Sequence, residues 1–330
     1  MSLVRRIGLG VGALGALTGT AYGAQRIAAA RLRRAPDADA ARALDAAAYV
    51  DHVLDTHDRG SIYVVERGGE LDPPIVLSHG VTLSVRTWFH QLEELPKEGF
   101  RTIAFDHRGH GRSVLGEGGH SVENLGRDVK TVLEGLDLRG AVLVGHSMGG
   151  VAVQAFAVDF PEVVAARVAG IVLLSTLSHT PLGSQPTRTK ARVEKLLKRS
   201  PDSQWLWDSP NLGFLAARVG FGRDPHPSHV ELVRSMMREC PPATRLDAPR
   251  ALVGLDLLDR LPSIRVPTLV IGGTADLLTP PAYARRIASL IPGAQLELMP
   301  GGGHMLMLER TDELDRLIVD FAREVRAAPR

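Results

Sequence analysis

The chain alternates short continuous apolar runs with segments of helical periodicity, and that alternation leaves few folds open. Six runs end in glycine or turn residues: PPIVLSHG (73–80), FRTIAFDHRG (100–109), RGAVLVGHS (139–147), VAGIVLLST (168–176), VPTLVIGGTAD (266–276) and a more amphipathic AQLELMPGGGH (294–304). A strand that is apolar at successive positions is buried on both faces, the condition of a parallel sheet covered by helices. Helical stripes lie between the runs. Val122, Leu125, Val129, Val132, Leu133 and Leu136 share a face behind Ser121 as N-cap. Pro280 and Pro281 open a helix to about Ile291, and Leu314, Leu317, Ile318, Phe321 and Val325 stripe the last one. The expected fold class is α/β, a parallel sheet with helices on both faces.

The third run leads into VLVGHSMGG (142–150), followed by a helical pattern. A serine at such a strand-to-helix elbow has its hydroxyl raised above the sheet. Gly145 and Gly149 would let strand and helix meet at a tight angle, and the helix N-terminus favours nearby negative charge. Ser147 is therefore the candidate nucleophile. It needs a base, and the base an orienting acid. Asp276 follows the fifth run and His304 the sixth, giving the chain order Ser, Asp, His. Two backbone donors are expected for the oxyanion: the N–H of Met148 and the N–H of Val81 in SHGVTLS, with Thr82 the neighbouring option.

Residues 178–260 break the alternation and carry no strand-like run. They hold Trp205, Trp207, Phe214, Phe221, Met236, Met237 and many prolines. A mostly helical cap over the carboxyl ends of the strands is expected, where open α/β sheets bind ligands. Trp205, Trp207 and Phe214, with Trp88 just beyond the oxyanion loop, are the expected substrate-binding aromatics. The alternative for each is simple core packing.

The first 34 residues differ from the rest. Ile7 to Ala24 contains no charged residue, between Arg5–Arg6 and Arg26. A membrane anchor, a cleaved signal segment with small residues at Ala21–Gly23, and a plain N-terminal helix are all open. The expected location is membrane-associated, or secreted after cleavage. GVGALG (10–15) mimics a dinucleotide-binding fingerprint, but no strand can precede it. These residues hold six arginines and no acid, leaving 33 basic against 37 acidic residues elsewhere, a net of −4. That balance argues against nucleic acid as a partner. Residues 35–59 read as a linker and 60–325 as the catalytic domain. Cys240, the single cysteine, precedes two prolines, lacks a nearby base and reads as inert. His52, His57, His107, His120, His226 and His229 form no spaced set with carboxylates, so no metal site is assigned.

SHG, FDHRGHGRS, GHSMGG, GGTADLLTP and GGGHMLMLE, in this order, resemble the α/β-hydrolase fold superfamily over about residues 60–325. The resemblance implies a mostly parallel eight-stranded sheet, a cap inserted after the sixth strand and no cofactor. It carries Ser147, His304 and Asp276 to the roles of nucleophile, base and acid, and Val81 and Met148 to the oxyanion hole. Asp106, Arg108 and His110 match a structural loop of the family. A serine at the elbow argues against the dehalogenase and epoxide hydrolase branches, which use aspartate. The motifs look most like the esterase, monoacylglycerol lipase and cofactor-free haloperoxidase branches. The expected reaction is hydrolysis of a carboxylic ester with an apolar acyl chain. Perhydrolase or haloperoxidase chemistry, carbon–carbon bond hydrolysis, and a ligand-binding module without turnover are the alternatives. The oligomeric state is unknown.

Overall fold

A computed structural model of the chain describes residues 23–37, 39, 49–180, 183 and 202–327. Eight strands form one sheet: β1 (Val50–Asp55), β2 (Ser61–Arg67), β3 (Pro74–Ser78), β4 (Arg101–Phe105), β5 (Ala141–His146), β6 (Val168–Leu174), β7 (Thr268–Gly273) and β8 (Gln295–Met299). Their spatial order is β1-β2-β4-β3-β5-β6-β7-β8. β1 and β2 pair antiparallel, as do β2 and β4, and every later pairing is parallel. The six apolar runs are the six parallel strands.

Burial on both faces follows from the two-residue period of a strand. Ile75, Leu77, Val142 and Val144 enter one core with Trp88 and Phe321. Val76 and Leu143, their immediate neighbours, enter the other with Leu125, Val129 and Phe156. Ser121 caps the helix Val122–Gly135, its hydroxyl accepting from Asn124 N at 3.1 Å. Helices also cover Pro281–Leu290 and Thr311–Ala327. The chain leaves β3 toward β4 on one side and returns to β5 on the other. Winding thus reverses between β3 and β5, where loops part and open a crevice beyond the strand ends.

The catalytic domain begins earlier than the sequence suggested. β1 lies inside residues 35–59, which read as linker, because VDHVLD is an edge strand with mostly exposed side chains and offers no apolar run. Among the described residues of the cap region, the chain forms the helices Gln204–Asp208, Pro210–Arg218, Pro227–Glu239 and Pro242–Ala251. Before β1, a helix is described over residues 23–32, and Arg33, Asp37 and Asp39 contact the cap. Arg33 bonds Asn211 Oδ1 at 2.8 Å and stands over the Phe214 ring, and Asp37 accepts from Ser228 N at 2.7 Å. The uncharged stretch 7–24 falls outside the described residues apart from its last two. Among the described residues, no single helix is long and apolar enough to cross a membrane.

Candidate active site

Ser147 follows β5 directly and begins the turn into the helix Met148–Asp159. Its backbone stands at φ 53° and ψ −117°, a conformation costly for a residue with a Cβ. The glycines around it are sterically required. A Cβ on Gly145 would lie 2.6 Å from Gly149 O, and one on Gly149 would lie 2.2 Å from Ser78 O. Thr82 (φ 62°) and Ser175 (φ 43°) share the positive φ. Strain thus collects where β3, β5 and β6 end, around the crevice.

Asp276 and His304 meet across the loops after β7 and β8. His304 Nδ1 lies 2.9 Å from Asp276 Oδ2. Asp276 is 3% exposed, and its Oδ1 accepts the N–H groups of Leu278 and Thr279, each at 2.8 Å. Thr279 Oγ donates to Oδ2 at 2.7 Å. Burial works to raise the Asp276 pKa, but the His304 contact and the Thr279 bonds outweigh it, and the carboxyl is held below its ordinary value.

Ser147 and His304 line one cavity of about 350 Å³. No hydrogen bond joins them in this structure; the bond between nucleophile and base often closes only around a substrate. Val81 and Gly80 line the same cavity, and Met148 is the first residue of its helix, where a backbone N–H has no intrahelical partner. Both expected oxyanion donors therefore flank the serine.

The four expected substrate-binding aromatics do not line this cavity. Its wall on the cap side is aliphatic and small: Ala216, Ala217, Val219, Val233, Met237 and Leu252. Trp88 is fully buried beneath the site, its ring 6.5 Å from that of His146. Trp205 is 66% exposed, and Trp207 packs half-buried with its Nε1 donating to Ser203 Oγ. Phe214 shares a helix with Ala216 and Ala217, but its ring is buried under Arg33 and does not reach the cavity. Composition put aromatics in the cap; the face each helix presents decided which side chains reach the cavity.

Several positioning groups escaped the sequence reasoning. His146 Nε2 lies 3.0 Å from the carbonyl oxygen of His304, which can only accept, so the ring donates and holds the His304 backbone. The N–H of His304 donates to Gly220 O in the cap at 2.8 Å. Glu309 receives three backbone N–H groups, from Gly222 (2.7 Å), Gly303 (3.0 Å) and Met305 (3.0 Å), tying the His304 loop to the cap. Burial raises the Glu309 pKa against those bonds. The one sequence signal for it was its place at the end of GGGHMLMLE. Asp106, Arg108 and His110 are buried scaffold: Asp106 accepts from Val85 N and Arg112 N, and Arg108 forms a two-pronged pair with Asp128 at 2.7 Å. Cys240 is buried, and burial pushes its thiol up to about 11, as suits an inert side chain.

A family model described as alpha/beta hydrolase fold matches residues 73–311. The chain is similar to a non-heme chloroperoxidase of Burkholderia pyrrocinia, 31% identical over 277 residues, covering 81% of this chain and 98% of the relative. It is also similar to a bifunctional esterase/perhydrolase of Acinetobacter calcoaceticus, 29% identical over 282 residues, covering 81% and 98%. The structure of an esterase from Exiguobacterium antarcticum matches with a TM-score of 0.72 at 23% identity, covering 83% of this chain and 100% of that one; at this identity the likeness speaks for the fold alone.

Proposed function

We propose, from the premise that this chain belongs to the alpha/beta hydrolase family, that it is a serine hydrolase cleaving carboxylic esters with an apolar acyl group. One observation carries the reading. A strained serine at a strand-to-helix elbow shares an aliphatic cavity with a histidine whose far nitrogen is hydrogen-bonded to a buried aspartate.

Ser147 Oγ attacks the ester carbonyl while His304 Nε2 takes its proton. Asp276 holds the imidazole in the tautomer with the proton on Nδ1 and stabilises the imidazolium. The carbonyl oxygen becomes an oxyanion held by the N–H groups of Val81 and Met148, an effect worth about 10²–10³ in rate per donor. His304 returns its proton to the departing alcohol, leaving an acyl-serine. Water, giving a proton to His304, attacks that acyl group, and the acid leaves as Ser147 is reprotonated.

At about 350 Å³ the cavity lies at the low end of the usual ligand-pocket range of about 300–1,000 Å³. Short and medium acyl chains are therefore expected to outperform long ones on a panel of p-nitrophenyl esters. Equal rates from acetate to palmitate would reject the aliphatic cavity as the acyl site. Absence of any turnover, with a ligand still bound, would return the fold to a binding role.

A second reading is favoured by the names of the relatives. Hydrogen peroxide in place of water on the same acyl-enzyme releases a peracid, which oxidises halide. Halogenation in acetate buffer with peroxide and bromide tests this. For location, the uncharged stretch 7–24 supports a membrane-associated or exported enzyme. Fractionation of cells carrying the full chain, with the Ser147 label as marker, decides it: label confined to the soluble cell fraction excludes both.

A further inference from the structure

We propose that Asp39, His90 and His229 bind one divalent transition-metal ion of the zinc class, fastening the chain before β1 to both the cap and the body of the enzyme. The three residues come from three separate parts of the chain. Asp39 follows the helix over 23–32, His90 lies in the body helix Phe89–Glu94, and His229 lies in the first turn of the cap helix Pro227–Glu239. Their candidate ligand atoms all lie within 4.8 Å of one another. Asp39 Oδ2 is 3.0 Å from His229 Nε2 and 3.2 Å from His90 Nε2. Ligands at about 2.0–2.2 Å from a tetrahedral zinc stand about 3.3–3.6 Å apart, so a small opening of the carboxylate contacts and a closing of the two rings would seat an ion.

The protonation of His229 points the same way. Its Nδ1 lies 2.8 Å from the carbonyl oxygen of Leu308, which can only accept, so Nδ1 carries a proton. His229 is 1% exposed, and its buried Nε2 has no hydrogen-bond partner although it faces the Asp39 carboxylate. Nε2 is therefore the ring position left for a further partner, and it lies beside the Asp39 carboxylate with the His90 ring centred 5.8 Å from its own. An Nδ1–H donated to a backbone carbonyl is also the outer contact that orients metal-bound histidines.

Two imidazoles and one carboxylate suit zinc and its transition-metal neighbours, whereas magnesium and calcium prefer all-oxygen sites. The three donors fill three of the four positions of a tetrahedral ion, and water is the usual fourth ligand. None of the three lines the Ser147 cavity, so the ion would be structural. The site leaves no spacing signal in the sequence, because Asp39 and His90 stand 51 residues apart and His229 lies in the distant cap.

The test uses the untagged full-length chain, stripped with chelator and titrated with zinc and cobalt(II) salts. One ion per chain is expected, with a Kd of about 1 μM or tighter, cobalt absorption bands typical of nitrogen and oxygen ligands, and a Tm raised by zinc. Asp39→Asn and His90→Gln should each weaken binding at least tenfold and abolish the Tm rise, with near-ultraviolet circular dichroism confirming that both remain folded. Wild-type protein with no stoichiometric site would overturn the proposal. So would unchanged affinity in both variants, or an equal Tm rise with magnesium or calcium.

Discussion

Ser147 carries a backbone conformation that its own side chain disfavours, and nothing in the fold needs that side chain. Its Oγ makes no hydrogen bond, whereas its N–H donates to Leu174 O and its C=O accepts from Thr176 Oγ and Val151 N. The strain of about 1–3 kcal/mol is thus held for the hydroxyl. Ser147→Ala is expected to abolish fluorophosphonate labelling and to lower kcat by about 10⁶. Ser147→Gly should be equally inactive, yet melt above Ser147→Ala, because glycine takes the positive φ freely. Thermal melting of the pair decides this, and equal or lower Tm for the glycine variant would show that the turn is unstrained. Asp276→Asn should cost about 10⁴ in kcat by favouring the wrong His304 tautomer. Glu309→Gln replaces a carboxylate that accepts three N–H groups with an amide carrying a single carbonyl oxygen. A fall in kcat at nearly constant KM is expected, with about 1–3 kcal/mol of lost stability; a change confined to KM would place Glu309 at substrate instead. The candidate triad was legible because each member ends an apolar run. His146, Thr279 and Glu309 were not, since their roles arise from contacts such as the one spanning 158 residues between His146 and His304.

At the scale of elements, legibility followed burial. The six parallel strands are covered on both faces and announce themselves as apolar runs. β1 has one face toward water and mixes Asp51, His52 and Asp55 with its apolar residues, and β2 ends in Glu66–Arg67, so the antiparallel margin left little trace. The cap shows the limit of composition more sharply. Helix Pro210–Arg218 brings Ala216 and Ala217 to the cavity while Phe214, one turn before Ala217 on the same face, packs under Arg33, a distinction along the helix that needs the docked helix to be read. Lengthening a cavity-facing side chain should therefore change specificity without touching chemistry. Ala216→Leu is expected to depress kcat/KM for octanoyl esters several-fold more than for acetyl esters, with Ser147 labelling retained. Parallel losses on both esters would move the acyl chain elsewhere.

The whole molecule carries a titration signature in its buried histidines. His79, His107, His110 and His146 are fully buried and His120 is partly buried. Their rings pack closely beside the strand ends, with His79 and His107 edge to face at 4.8 Å and His146 tilted against His304 at 4.7 Å. Burial, first of all, pushes His79 down to about 3 and His110 and His120 to about 4, and holds His107 and His146 well below the ordinary 6.5. At least one ring nitrogen of His107, His110, His120 and His146 has no hydrogen-bond partner, so a second proton there would find no acceptor. These groups stay neutral in the fold while the unfolded chain protonates them below about pH 6.5. Their contribution to stability is therefore complete above that pH and is lost as pH falls toward 4. Asp106 and Asp315 act in the opposite sense. Burial raises both to about 6, so the fold keeps protons that the unfolded chain releases, and acidification from pH 6 toward 4 stabilises through them. Burial raises Asp128 and Glu309 as well, so four carboxyls oppose these five histidines, and between pH 6.5 and 6 the histidines act almost alone. Each net proton taken up on unfolding costs about 1.4 kcal/mol per pH unit, or about 2 °C or more of Tm for a chain of this size. Melting at constant ionic strength should give a plateau above pH 7 and a steady fall from pH 6.5 to 4. A Tm that holds or rises down to pH 5 would mean that these histidines take up protons within the fold, and the neutral, close-packed file beside the strand ends would have to be redrawn.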